Sequence, residues 1–84
     1  MVIFKVFSEP EMLDSVEAAL RNIKITDVKF QDMKREPIGF GIEVIRVGYI
    51  VPDKTDGIMP RLEAAINAIK GINNVEVDGV TLVS

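Results

Sequence analysis

Glu36-Pro37-Ile38-Gly39-Phe40-Gly41-Ile42 is the stretch around which the two halves of the chain are arranged, since it joins a charged segment to a long apolar run. Pro37 fixes its own φ and favours an extended conformation at Glu36. Gly39 and Gly41 flank Phe40 with two residues that tolerate positive φ. We therefore predict a shaped loop at this point. Its aromatic ring is either presented to a partner or folded back onto the core, and local chemistry does not choose between these two outcomes.

Length and hydropathy indicate one compact unit. The chain has 84 residues, of which 48% are hydrophobic, so it can form one domain over residues 1–84 with a modest core. No apolar run approaches the length of a membrane span. The first residues, Met1 to Lys5, lack the basic end and the small-residue cleavage site of a signal peptide. We expect a cytoplasmic protein that makes no membrane contact.

The residue types that are absent exclude several classes of function. The chain has no Cys and no His, so it has no disulfide, no thiolate zinc site and no histidine general base. Asp53, Thr55 and Asp56 could ligate a cation, but they lack the spacing of a calcium loop and suit a turn and helix cap better. A net charge of −3, from 13 acidic and 10 basic residues, argues against nucleic-acid binding. We therefore expect no bound metal, no cofactor and no enzymatic chemistry of the usual kinds.

Apolar periodicity predicts six elements in the order strand, helix, strand, strand, helix, strand. The strands are expected at residues 2–7, 25–36, 42–51 and 73–83. A cap at Ser8 and another at Asp56 are expected to start the two helices. The buried stripes of the helices are Met12, Val16, Ala19, Leu20 and Ile23, then Met59, Leu62, Ile66 and Ile69. Gly71 is predicted to end the second helix at its C′ position, and Gly79 to mark a β-bulge in the last strand.

This order is typical of an α+β, ferredoxin-like βαββαβ sandwich, a four-stranded antiparallel sheet with both helices on one face. The first and third strands are apolar on both faces, which predicts central positions, whereas the charged second strand suits an edge. The sheet face away from the helices is predicted to be apolar. Its residues would be Ile3, Phe7, Ile42, Val44 and Ile50, and such a surface suits a partner or self-association.

The run Pro37-Ile38-Gly39-Phe40-Gly41-Ile42, followed by a long apolar strand, resembles the signature of the exchange domain of the elongation factor 1-beta family. The length resembles the short archaeal form, which consists of that domain alone. The resemblance covers nearly the whole chain and is strongest over residues 36–51. It implies the ferredoxin-like fold and guanine-nucleotide exchange on the translational GTPase elongation factor 1-alpha. GDP, GTP and magnesium would be bound by that partner and not by this chain.

By the same resemblance, the Phe40 ring would insert into the GTPase and help to distort its nucleotide site. The other partner-binding residues would be Pro37, Ile38, Gly39, Gly41, Arg35, Leu82, Val83 and Ser84. Eukaryotic relatives use a Lys next to the chain end that reaches the magnesium site, whereas this chain has Val83 there. Either the uncharged tail acts by packing, or Arg35 or Arg46 replaces the missing cation.

The implied activity is that of an exchange factor acting by non-covalent protein binding. Lys34 and Arg35, just before the loop, could steer an acidic partner surface towards it. The alternative is a small ferredoxin-like regulatory or ligand-binding domain that oligomerises through its open sheet face, because this fold serves many functions.

Overall fold

The computed structural model describes residues 1–51 and 57–80. Its elements are β1 (Val2–Ser8), α1 (Leu13–Arg21), β2 (Lys29–Gly39), β3 (Ile42–Ile50), α2 (Ile58–Asn67) and β4 (Ile72–Val80), with a 3₁₀ turn at Pro10–Met12 before α1. The strands form one antiparallel sheet in the order β2-β3-β1-β4. The predicted element order and ferredoxin-like fold are confirmed, with β1 and β3 in the centre.

The core lies between the sheet and both helices, which therefore cover the same face. Alternate residues of the two central strands point into it, as the two-residue period of a strand requires. Fully burying an aliphatic or Phe side chain contributes roughly 1.5–3 kcal/mol of stability. Because a chain of this size can bury only a modest core, its stability depends strongly on these residues. Its fully or nearly fully buried members are Val2, Phe4, Val6, Leu13, Val16, Leu20, Ile45, Val47, Tyr49, Leu62 and Ile66.

Tyr49 links β3 to the neighbouring elements. Its ring meets Phe4 and Phe30 edge to face, with centroid distances of 6.4 and 6.2 Å. Its hydroxyl donates a hydrogen bond to the carbonyl oxygen of Leu20 in α1 at 2.7 Å. Burial of the phenol raises the pKa of Tyr49 well above its usual value. A buried Tyr hydroxyl needs such a partner, and here the partner lies in the last turn of α1.

The first helix starts differently from the prediction. Ser8 does not cap it, because the Ser8 hydroxyl donates instead to the carbonyl oxygen of Glu9 at 3.0 Å. Pro10 opens a 3₁₀ turn, and α1 then begins at Leu13 without a side-chain cap. The fixed φ of proline suits a first helical turn of either type. Leu13, which the predicted stripe omitted, is buried.

The second helix ends earlier than predicted. α2 ends at Asn67, so the predicted C′ role of Gly71 is wrong. Gly71 instead has φ 101° in the connection to β4, and a Cβ there would lie 2.8 Å from the Cβ of Met12. The glycine thus permits a close crossing that any side chain would obstruct. At the other end of α2, Gly57 is the N-cap residue, and the predicted cap Asp56 lies outside the described residues.

The second strand is displaced along the sequence relative to the prediction. It starts at Lys29 because residues 25–28 form a turn, in which the Val28 amide donates to the Ile25 carbonyl at 3.0 Å. Asp27 has φ 71° in this turn, a conformation that Asp tolerates better than most residues. β2 then continues through Pro37, since an edge strand accepts a proline that cannot donate to the ladder.

The edge strands contain bulges. Gln31 is the extra residue in β2, because its neighbours Phe30 and Asp32 face consecutive residues of β3. In β4 the corresponding shift falls at Asp78, one residue before the predicted bulge at Gly79. The predicted end of that strand, residues 81–83, lies outside the described residues.

The open face of the sheet is not the continuous apolar surface that the sequence predicted. Alternation does place the predicted apolar residues on this face, but Lys5 and Arg46 stand among them at its centre. Salt bridges to Glu36 and Asp78 surround these two cations. A charged centre with apolar margins is a poor surface for self-association driven by apolar burial.

Candidate functional site

The connection between β2 and β3 is a tight hairpin rather than the predicted loop. Gly39 pairs with Ile42, so only Phe40 and Gly41 lie between the strands. These two residues have φ of 55° and 75°, and a two-residue hairpin of type I′ requires positive φ at both positions. Gly39 has φ 107° and also adopts this unusual backbone conformation. No atom lies within 4 Å of a Cβ built on Gly39 or Gly41, so the backbone and not lack of space demands glycine.

The hairpin tip presents its apolar side chains to solvent. Every residue from Pro37 to Ile42 is exposed, and the exposed fraction of Phe40 is 105%. Ile38 and Ile42 beside it are 53% and 46% exposed. Of the two predicted outcomes for the ring, the structure has the displayed one. A bulky residue with positive φ is strained, and such strain occurs most often at binding and switch sites.

Arg35 holds the base of the hairpin on the helix side. Its Nη2 donates to Glu17 Oε1 at 2.6 Å and to Asp14 Oδ1 at 2.5 Å, and both acceptors belong to α1. The hydrogen bond to Glu17, followed by that to Asp14, raises the pKa of Arg35 further above its usual range. The guanidinium that the sequence suggested for partner binding is therefore already paired within the chain.

A second group of charges holds the base on the open face. Arg46 Nη1 donates to Glu36 Oε1 at 2.8 Å, and its Nη2 donates to Asp78 Oδ2 at 2.5 Å. Lys34 lies 3.7 Å from Glu36, and Lys5 lies 3.8 Å from Asp78, so the group spans all four strands. The hydrogen bond from Arg46 lowers the pKa of Glu36 below its usual value. Sequence reasoning did not find this group, because its members meet only through strand register.

A shallow cleft lies on the same open face. Its volume is about 210 Å³, and its lining residues are Met1, Ile3, Asp32, Lys34, Arg46 and Gly48. Gly48 leaves this space open, since a Cβ there would lie 3.3 Å from the sulfur of Met1. The lining carries both signs of charge, so it does not indicate one class of ligand.

Other predicted features lie away from the hairpin or outside the described residues. Among residues 1–51 and 57–80, no group of three or more acidic side chains could hold a metal ion. The candidates Asp53, Thr55 and Asp56 are not among those residues, nor are Leu82, Val83 and Ser84. In the part of the chain that the structure describes, no helix is long and apolar enough to cross a membrane.

The last described residue lies far from the hairpin tip. Val80 pairs with Val2 of β1, and Val2 pairs with Tyr49 of β3. Tyr49 is separated from Ile42 by the length of β3, about 24 Å at roughly 3.4 Å per residue. The sheet thus places the end of β4 and the hairpin tip at opposite ends.

Comparison with known proteins identifies the family to which this chain is similar. The profile of the EF-1 guanine nucleotide exchange domain matches residues 1–83. A protein named Elongation factor 1-beta from Methanospirillum hungatei is 40% identical over 83 residues, covering 98% of this chain and 94% of that protein. A protein of the same name from Metallosphaera sedula is 31% identical, covering 96% of this chain and 91% of its own length.

One solved structure is similar in fold alone. The C-terminal domain of the MgtC protein from Mycobacterium tuberculosis has a TM-score of 0.68 and covers 90% of this chain and 82% of its own. Its sequence identity is 17%, so it supports the fold and carries no information on function.

Proposed function

The chain belongs to the EF-1 guanine nucleotide exchange domain family, and from this membership we propose that it promotes GDP/GTP exchange on elongation factor 1-alpha. The observation that carries the proposal is the fully exposed Phe40 ring on a strained hairpin tip. A solvated aromatic side chain in a left-handed conformation contributes nothing to the core of this protein. We therefore assign the Phe40 ring a role in binding the partner.

The hairpin suits an anchor that enters an apolar pocket of the partner. Aromatic residues carry much of the binding energy at protein interfaces when they are buried in well-packed pockets. Phe has few rotatable bonds, and a type I′ turn defines its direction, so little conformational freedom is lost on binding. Pro37, Ile38, Gly39 and Gly41 would contact the partner around the ring.

The exchange itself requires only non-covalent binding. A factor that binds the GTPase best without nucleotide weakens nucleotide binding, and by linkage nucleotide weakens factor binding equally. Release of GDP and release of GTP are both accelerated, and the prevailing nucleotide ratio sets the direction. In this proposal the GTPase holds the nucleotide and magnesium, and the two proteins meet in the cytoplasm.

The tail, Leu82 to Ser84, is proposed as a second contact that acts by packing. The alternative, that Arg35 or Arg46 replaces the Lys that eukaryotic relatives have next to the chain end, has less support. Both arginines already pair with carboxylates of this chain. Either guanidinium would first have to break its present ion pairs before it could reach a magnesium site.

The oligomerising alternative is not favoured. Its premise was a continuous apolar face, and the centre of that face carries the salt-bridged group around Arg46. Fluorescent-GDP release from elongation factor 1-alpha, with and without this chain, tests the exchange function directly. We expect release to accelerate with factor concentration. An unchanged release rate at saturating factor would contradict the proposal.

Phe40→Ala tests the role of the ring in the same assay. A buried Phe would lose about 3–5 kcal/mol of stability on truncation to Ala, whereas a displayed anchor typically loses about 2 kcal/mol or more of binding. We expect a Tm within about 5 °C of wild type, as for changes below 1 kcal/mol in a domain of this size. We also expect loss of most of the accelerated GDP release at saturating factor. A stable variant with full activity would remove the ring from the mechanism.

A further inference from the structure

Two consecutive residues at the base of the hairpin are tied to opposite faces of the sheet. We propose that Arg35 and Glu36 are positioning residues that fix the direction of the Phe40 hairpin before the partner binds. This inference rests on the proposed exchange function, but it concerns contacts within this chain. It assigns Arg35 a role through α1 rather than a direct contact with the partner.

On the helix side, α1 is attached to β2 at both of its ends. Near the start of β2, the Arg21 guanidinium lies 5.8 Å from the centroid of the Phe30 ring. Near the hairpin, Arg35 donates to Asp14 and Glu17 at the other end of the helix. Glu17 is the better shielded acceptor, since 24% of its side chain is exposed compared with 96% for Asp14. The Arg35–Glu17 pair is therefore a stronger attachment than the Arg35–Asp14 pair, because solvent screens it less.

On the open face, Glu36 is attached in the opposite direction. It accepts from Arg46 of β3, which also donates to Asp78 of β4. An edge strand is thereby linked across the sheet to the opposite edge strand. Because neighbouring residues of a strand point to opposite faces, Arg35 and Glu36 can hold one backbone position from both sides.

Beyond Glu36 the hairpin has little else to hold it. Pro37 has no N–H to donate, and every residue from Pro37 to Ile42 is exposed. Among residues 1–51 and 57–80, the tip is joined to the domain through its pairing with β3. Without attachment at its base, the hairpin would sample directions in which the Phe40 ring misses its pocket. If only a fraction of the molecules holds the ring in the binding-competent direction, the apparent dissociation constant rises in inverse proportion to that fraction. This holds even when every contact in the complex is unchanged.

A charge exchange between Arg35 and Glu17 tests this role in the GDP-release assay. Arg35→Glu alone and Glu17→Arg alone are each expected to raise the half-saturating factor concentration about 3- to 10-fold, the scale of one extra ordering step. The release rate at saturating factor is expected to stay within about 2-fold of wild type, because the competent fraction forms the same complex. The double variant restores the ion pair between positions 17 and 35 but not the pair with the exposed Asp14, so we expect its half-saturating concentration to return most of the way to the wild-type value.

Arg21→Met, compared with Arg35→Met, is the matched control. Both substitutions remove an arginine that joins α1 to β2, but only Arg35 adjoins the hairpin. We expect similar changes in Tm for the two variants and a raised half-saturating concentration only for Arg35→Met. If both variants raised the half-saturating concentration equally, the cause would be general destabilisation, and the proposal would be overturned.

Backbone ¹⁵N relaxation of residues 39–42 in the isolated chain gives a measurement that needs no partner. Order parameters there should fall in Arg35→Glu and return in the double variant. Unchanged order in Arg35→Glu would overturn the positioning role. Persistent loss of exchange in the double variant despite restored order would also overturn it, in favour of direct contact by Arg35. If the wild-type chain does not accelerate GDP release from elongation factor 1-alpha, the exchange function fails, and the relaxation data still decide the positioning role.

Discussion

At the scale of single residues, Phe40 combines properties that a stable fold alone does not favour. It is the most exposed large apolar residue among those that the structure describes, and its φ of 55° is in a region that Asn and Gly adopt more readily. Its glycine neighbours have empty space around them, so their conformational freedom serves the turn. The stability of the isolated protein and the presentation of the ring therefore have different requirements at this position.

Phe40→Asn should separate these two requirements. Asn suits the first central position of a type I′ turn, so we expect the free energy of unfolding to rise by up to about 1 kcal/mol as backbone strain is relieved. GDP release should fall as far as in Phe40→Ala, because both variants lack the ring. Urea unfolding monitored by circular dichroism measures the first effect, and fluorescent-GDP release measures the second. A clear loss of stability in Phe40→Asn would mean that the ring packs against the chain.

At the scale of elements, α1 is the part of the structure that organises β2 and β3. It contacts β3 through the Leu20 carbonyl and the Tyr49 hydroxyl, and it contacts β2 through Arg21 and Arg35. The apolar stripe of α1 was predictable from its period, although the stripe as predicted omitted Leu13. The polar attachments were not predictable, since they depend on which strand lies beneath the helix. The edge strand β2 is thus held by its pairing with β3 on one side and gains further attachments from α1 in place of a second neighbouring strand.

Tyr49→Phe should destabilise the protein without affecting the hairpin directly. It removes the donor that satisfies the Leu20 carbonyl and should cost about 1–2 kcal/mol, or a fall in Tm of roughly 4–15 °C. The substitution should also change the alkaline limb of the stability curve. Because burial raises the pKa of Tyr49 above its usual value of 10.0, the folded state retains a proton that the unfolded state loses above that pH.

Stability of wild type should therefore decline as pH rises above 10, and Tyr49→Phe should decline less steeply. Calorimetric unfolding between about pH 8 and 11 checks both parts of this prediction, since the usual tyrosine pKa lies within that window. Parallel curves for the two proteins would show that the Tyr49 hydroxyl is not the group responsible.

At the scale of the whole molecule, the sheet separates the hairpin tip from the end of β4. The hairpin tip lies at one end of the sheet, and Val80, the last described residue, lies at the other. A partner that contacts both must extend along the length of the central strands. The rigid sheet would then set the distance between two contacts, which is a form of preorganisation.

Deleting residues 82–84 tests whether the second contact exists. Chain ends usually carry little stability, so the Tm should remain within about 5 °C of wild type. GDP release should slow if the tail packs on the partner, and combining the deletion with Phe40→Ala should lower activity further. Unchanged release after deletion would assign the tail no role in exchange and leave the hairpin as the proposed contact.

Several features followed from the sequence because their causes are local. The two- and 3.6-residue apolar periods gave the order of the elements, and strands apolar on both faces identified β1 and β3 as central. The Pro37–Ile42 motif identified the hairpin region and the family. Two errors concern the ends of elements. Asp27 adopts a left-handed turn, so β2 starts later than predicted, and α2 ends before the glycine that was expected to stop it.

Strand pairing and helix placement decided the rest. Whether Phe40 faces solvent or core depends on what lies beside the hairpin, and the sequence alone left both outcomes open. Arg35 meets Glu17, and Arg46 meets Glu36 and Asp78, only after the sheet has acquired its register and α1 has packed across it. These partners are separated by up to 32 positions in the chain. Side-chain periodicity reports which face of an element is buried, whereas the choice of partner across elements is set by tertiary packing.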